Sequence, residues 1–152
     1  MFMYKFFIFF LFILPSICSS DDITTIEIDG SNLPNSSGEV KEGKRIFALI
    51  CSECHGHSGE GLTAPELVGK SLLTGKKISK TIGNFWPYAP KIFDFIKRAK
   101  RTKNGEYFSN SEVFALTGYL LKLNGLYSKK KIDKEGLSNI IMPNKDGFIS
   151  TY

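Results

Sequence analysis

The chain has 152 residues, 42% of them hydrophobic and 13% aromatic, with a formal net charge of +5. Three cysteines, two histidines and three methionines leave few ligands for any metal chemistry, and they rule out a disulfide-dense scaffold. The positive excess is local: Lys76, Lys77, Lys80, Lys91, Lys97, Arg98, Lys100, Arg101 and Lys103 are opposed over that stretch only by Asp94, and Lys129–Lys131 forms a second cluster.

The first twenty residues read as a leader. Lys5 precedes the unbroken run FFIFFLFIL (Phe6–Leu14), which is shorter than the ~20 apolar residues a membrane span needs. Pro15 interrupts it, and small residues up to Ser20 offer cleavage before Asp21. The expected organisation is a signal peptide over 1–20, an extended arm over 21–37 and one domain over 38–152. Cleavage would leave no membrane segment, about 130 residues, and Cys51, Cys54 and Met142 as the remaining sulfur residues. Export, to a periplasm, removes nucleic acid as a partner for the basic clusters. It leaves an acidic protein surface or an anionic substrate, with charge steering the encounter.

In the arm, ITTIEI (Ile23–Ile28) can pair as a short strand, and SNLPNSSG has loop composition. Glu39–Cys51 reads as a helix with Val40, Phe47 and Ile50 on one face. Gly43 lies on the Phe47 side, where it admits a close helix neighbour. Then comes ICSECHGHSG, with Cys51 and Cys54 three apart and His55 directly after. C-x-x-C-H is the attachment signature of c-type haem. Two thiols at that spacing reach the two vinyl groups on one porphyrin edge, and the following imidazole returns under the iron. Zinc would need four ligands that can surround it, and these are too crowded. A thioredoxin-like pair would need a βαβ setting that is absent. His57 falls on the loop surface.

Gly56–Asn84 is rich in Gly, Ser, Thr and Lys and reads as loop. Pro90 opens a second helix carrying Ile92, Phe93, Phe95 and Ile96. Ser109 and Glu112 form a capping-box pattern for a third, with Val113, Leu116, Leu120 and Leu123 at helical spacing and Asn124-Gly125 as its stop. Leu126–Tyr152 reads as an irregular tail. Met142 lies within it, before Pro143, and a thioether as second axial ligand would raise the potential of a haem. Met142 is therefore the expected distal ligand to His55.

CHGHSGEGLTAPELVG resembles the Gly-rich loop of class I cytochromes c. The resemblance implies a mainly α fold, a small helical domain around one covalently bound haem with long loops. It implies that the Pro65 carbonyl accepts a hydrogen bond from His55, and that the Gly43/Phe47 helix crosses the terminal helix near Tyr119. TIGNFWPYAPKIFDFIKRAK, SNSEVFALTGYLLKLNG and MPNKDGF are similar to the haem subunit of the Sox-pathway sulfite and sulfane dehydrogenases. That narrower resemblance covers about Gly38 to Phe148. It implies a molybdopterin-dehydrogenase subunit as electron donor and a downstream cytochrome as acceptor, with no substrate reaction on this chain. Relatives often carry Met-Pro where this chain has Lys100-Arg101. Trp86 and Tyr88 are candidates for haem propionate contacts, and Lys76, Lys80 and Arg98 for propionate neutralisation or a partner face. The rival readings are a haem enzyme with open or Lys-ligated iron, acting on thiosulfate or peroxide, and a free-standing soluble carrier.

Overall fold

The computed structural model describes residues 25–71, 73–74 and 78–148. The expected signal peptide, the first residues of the arm and Lys76 lie outside them. Helices dominate: α1 (Val40–Ile46), a π-helical turn (Phe47–Cys51), α2 (Ser52–His55), α3 (Ala89–Ala99), α4 (Asn110–Leu123) and α5 (Lys134–Ser138). Two three-residue strands, β1 (Ser37–Glu39) and β2 (Lys131–Asp133), pair antiparallel, with Gly38 opposite Ile132. Among the described residues no helix is long and apolar enough to cross a membrane.

α4 is the central element. Ser109 caps it as the sequence predicts, its side chain accepting from the Glu112 amide at 3.4 Å while Glu112 accepts from the Ser109 amide at 2.8 Å. Val113 to Leu121 are all buried. α1 crosses α4 with almost no side chain between them. A Cβ on Gly43 would collide with the Ala115 carbonyl, and one on Gly38 with the backbone of Ser111 and Ala115. Such backbone contact is open only to glycine and brings the Phe47 and Tyr119 rings to 5.4 Å between centroids.

Three expectations need correction. ITTIEI forms no strand over its described residues. The arm instead lies extended against α3, with the buried Ile26 donating its amide to Asp94 Oδ1 (3.2 Å) and accepting from Lys91 Nζ at its carbonyl. The helix from Glu39 does not run regularly to Cys51: it widens at Phe47 and resumes through His55. The tail is not irregular throughout, since it supplies β2 and α5, and Ile132, Leu137 and Met142 enter the core. Asp133 caps α5 by accepting from the Gly136 amide at 2.9 Å. Gly56–Asn84 is loop throughout its described residues, as expected.

Candidate haem site

The π-helical turn leads directly into the cysteine pair. Ser52 Oγ bonds back to the Ala48 carbonyl at 2.8 Å inside the widened turn, a geometry often found at functional sites. Cys51 is half-buried, Cys54 exposed, and both are free thiols. Burial pushes the Cys51 thiol up to about 11, against a partial opposing pull from Lys100. It is therefore a protonated thiol set in an apolar wall.

α2 ends at His55 because Gly56 takes φ +82, a conformation unfavourable for other residues. The loop then folds back over the open helix end. The Cys54 carbonyl accepts from the Leu62 and Ala64 amides at 3.1 and 3.0 Å, and the His55 carbonyl from the Gly61 amide at 2.7 Å. These bonds deliver Pro65, whose carbonyl oxygen stands 2.7 Å from His55 Nδ1. A carbonyl only accepts, so Nδ1 carries a proton, and the tautomer this selects is the one that leaves the Nε2 lone pair for a metal.

A cavity of about 450 Å³ opens beside Cys51, Cys54 and His55, within the usual size of cofactor sites. Its walls are mostly apolar: Phe47 and Ile50 from the first helical run, Ile92 and Ile96 from α3, Leu116 and Leu120 from α4. Pro65, Leu67 and Ile82 close it on the loop side, and Trp86 and Phe95 pack together at 5.7 Å between ring centroids. Lys80, Lys100 and Arg101 bring positive charge to its edge. Two thiols, one imidazole held by the Pro65 carbonyl, a mostly apolar cleft and rim cations are what haem c requires, so the residues fit the group.

The remaining expected residues divide. Trp86 lines the cavity; Tyr88 does not, its backbone forming a bridge to Ile141. Arg98 is committed to Asp94, with Nη2 2.6 Å from Oδ2. His57 is exposed, as expected of loop surface. Met142 is not brought to the cavity. It is 2% exposed in the core, between the Tyr88–Ile141 bridge and a bond from Asn144 Nδ2 to the Phe85 carbonyl at 2.7 Å. Its side chain is core filling behind the WPYA loop, a common role for a flexible thioether.

Two asparagines escaped the sequence reading. Asn124, read there only as a helix stop, is buried. It accepts from the Gly69 amide (3.2 Å) and donates to the Leu67 and Leu120 carbonyls (3.2 and 2.9 Å). Asn84 donates to the Ser71 and Ser79 carbonyls at 2.9 Å each and accepts from the Thr81 amide at 2.8 Å. Together they hold the long loop that carries Leu67 and Ile82 into the cavity. Nothing in their local sequence marks them, because their partners are distant in the chain or in irregular loop.

Fold and site together define a helical domain built to enclose a covalently tethered porphyrin. The chain belongs to the cytochrome c family, whose profile matches residues 40–124. Membership brings covalently bound haem c and an electron-transfer role, and Cys51 and Cys54 occupy the C-x-x-C-H positions. Among solved structures, a chain of the sulfane dehydrogenase SoxCD from Paracoccus pantotrophus matches with a TM-score of 0.78 and 34% identity, over 90% of this chain and 68% of that one. A second match is cytochrome cL from Hyphomicrobium denitrificans, with a TM-score of 0.36 and 20% identity, over 63% of this chain and 49% of that one. The chain is thus a class I cytochrome c resembling the haem subunit of the Sox dehydrogenases.

Proposed function

We propose that this chain is an exported, periplasmic single-haem cytochrome that serves as the electron-transfer subunit of a sulfur-compound dehydrogenase. The carrying observation is the 2.7 Å contact between His55 Nδ1 and the Pro65 carbonyl, made at a cavity that also exposes both cysteine thiols. Haem c held there supplies a one-electron iron couple. Cys51 and Cys54 would hold it through thioethers, and His55, oriented by Pro65, would bind its iron. Trp86 can donate its indole N–H to a propionate, and Lys80 can neutralise one. The likeness to SoxCD over most of the chain supports a molybdopterin-dehydrogenase subunit as donor and a cytochrome as acceptor. Substrate chemistry then belongs to the donor subunit, while this chain contributes burial, ligands and a docking face.

The test is haem retention through denaturation, read by pyridine haemochrome and intact mass after expression with a c-type maturation system. The wild type is expected to keep its haem and Cys51→Ala/Cys54→Ala to lose it. A wild type without covalent haem would overturn the site assignment. Co-expression with a molybdopterin-dehydrogenase subunit addresses the partner. Separate elution of the two on gel filtration would favour a free-standing carrier.

A further inference from the structure

The second axial position is the part of the site that the expected ligand does not reach. Among the described residues lining the cavity, the side chains able to donate nitrogen, sulfur or carboxylate oxygen to iron are Cys51, Cys54, His55, Glu66, Lys80 and Lys100. The cysteines are the tether. Arg101 remains charged and cannot act as a ligand.

Glu66 and Lys80 belong to the side that holds His55. Glu66 follows Pro65 directly, and residues 80–82 run beside 67–69. There the Ile82 amide donates to the Leu67 carbonyl at 3.1 Å and Thr81 Oγ1 to the Gly69 carbonyl at 2.8 Å. Lys100 comes from a different element. It ends α3, with its Nζ 5.3 Å from the centre of the Phe95 ring, and Phe95 in turn packs on Trp86.

Its backbone is fixed, while its amine makes only the contact with the Phe95 ring. The Lys100 amide donates to the Ile96 carbonyl (3.1 Å), and its own carbonyl accepts from Arg101 Nη1 (3.0 Å). Arg101 is anchored in turn by a backbone bridge to Tyr107 and by stacking of its guanidinium 3.2 Å from the centre of that ring. Among the described residues the Lys100 ammonium has neither a carboxylate nor a hydrogen-bond partner. The neutral amine of a lysine is a nitrogen donor, and its flexible stem at the edge of the apolar cleft gives it reach.

We propose that Lys100 is the second axial ligand, giving His55/Lys100 coordination; this rests on the haem reading above. The first measurement is haemochrome content, which must show covalent haem before any ligand is assigned. Its absence from every variant would overturn the underlying reading rather than this one alone. In haem-loaded ferric protein we expect a low-spin spectrum without the far-red thioether–iron band, unchanged in Met142→Leu. Lys100→Ala is expected to become high-spin and to bind cyanide faster than wild type. Lys100→Met is expected to gain the thioether band and a higher potential. A wild-type thioether band lost in Met142→Leu would overturn the proposal, as would a high-spin wild type or a Lys100→Ala spectrum identical to wild type.

Discussion

Asp94 shows how much one side chain holds in this fold. It is 3% exposed, yet it accepts from the Ile26 amide and from Arg98 Nε and Nη2, with Lys91 Nζ 3.9 Å away. Burial alone would raise its pKa, but the Arg98 hydrogen bonds, the Ile26 amide and the two cations prevail and hold it below its ordinary 3.8. A carboxyl depressed in the folded state adds stability above its unfolded pKa, and that contribution disappears as pH falls through the folded value. Asp94→Asn should therefore cost about 1–3 kcal/mol at neutral pH. The gap from wild type should shrink below about pH 4. Denaturant unfolding of the haem-loaded proteins at several pH values checks both statements. A gap that stayed constant into acid would mean that Asp94 acts through packing rather than charge.

At the scale of elements, the α1–α4 crossing sets the position of the cysteine pair. A methyl at Gly43 has no room against the Ala115 carbonyl. Overpacking of this kind costs roughly 1–3 kcal/mol, so Gly43→Ala should lower the unfolding midpoint in guanidinium. Gly105→Ala is an informative comparison: its Cβ meets nothing within 4 Å, so only its φ of +81 opposes the change. α3 and α4 were legible in the sequence because Pro90, Ser109 and Glu112 are local signals and the apolar spacing between the termini is regular. The widened turn was not, since FALIC carries no mark separating a π turn from an α one. β2 and α5 escaped because three- and five-residue elements owe their existence to partners, here β1 and the arm, although Asp133 did offer a capping signal. The proximal half of the site was legible for a covalent reason: C-x-x-C-H and the Pro65 loop are close in sequence. The distal half depends on which of Met142 and Lys100 the tertiary fold turns toward the cavity, and spacing does not encode that.

For the whole molecule, the cavity is large relative to the domain that surrounds it. Without the haem its apolar walls would face water, against a folding stability that for a typical domain is only roughly 5–15 kcal/mol. Phe47, Leu116 and Leu120 would lose one face of their packing together. The haem-free Cys51→Ala/Cys54→Ala form should consequently give poorly dispersed amide NMR signals and a broad thermal transition. Sharp, dispersed signals would show that α1, α3 and α4 form a self-sufficient core.

The π-helical turn at Phe47–Cys51 also bears on how the chain tolerates changes of length. Such a turn absorbs one extra residue while leaving the helices on either side in angular phase. Ala48 and Leu49, within it, are solvent-exposed. Removing one residue there would restore an ordinary α turn and keep Gly43 against α4 and His55 toward the cavity. The same deletion one turn earlier would swing everything downstream by about 100°. The segment just before the cysteine pair is thus a slack link in the chain's register, the one stretch of that helix where losing a residue need not turn the imidazole away from the cavity.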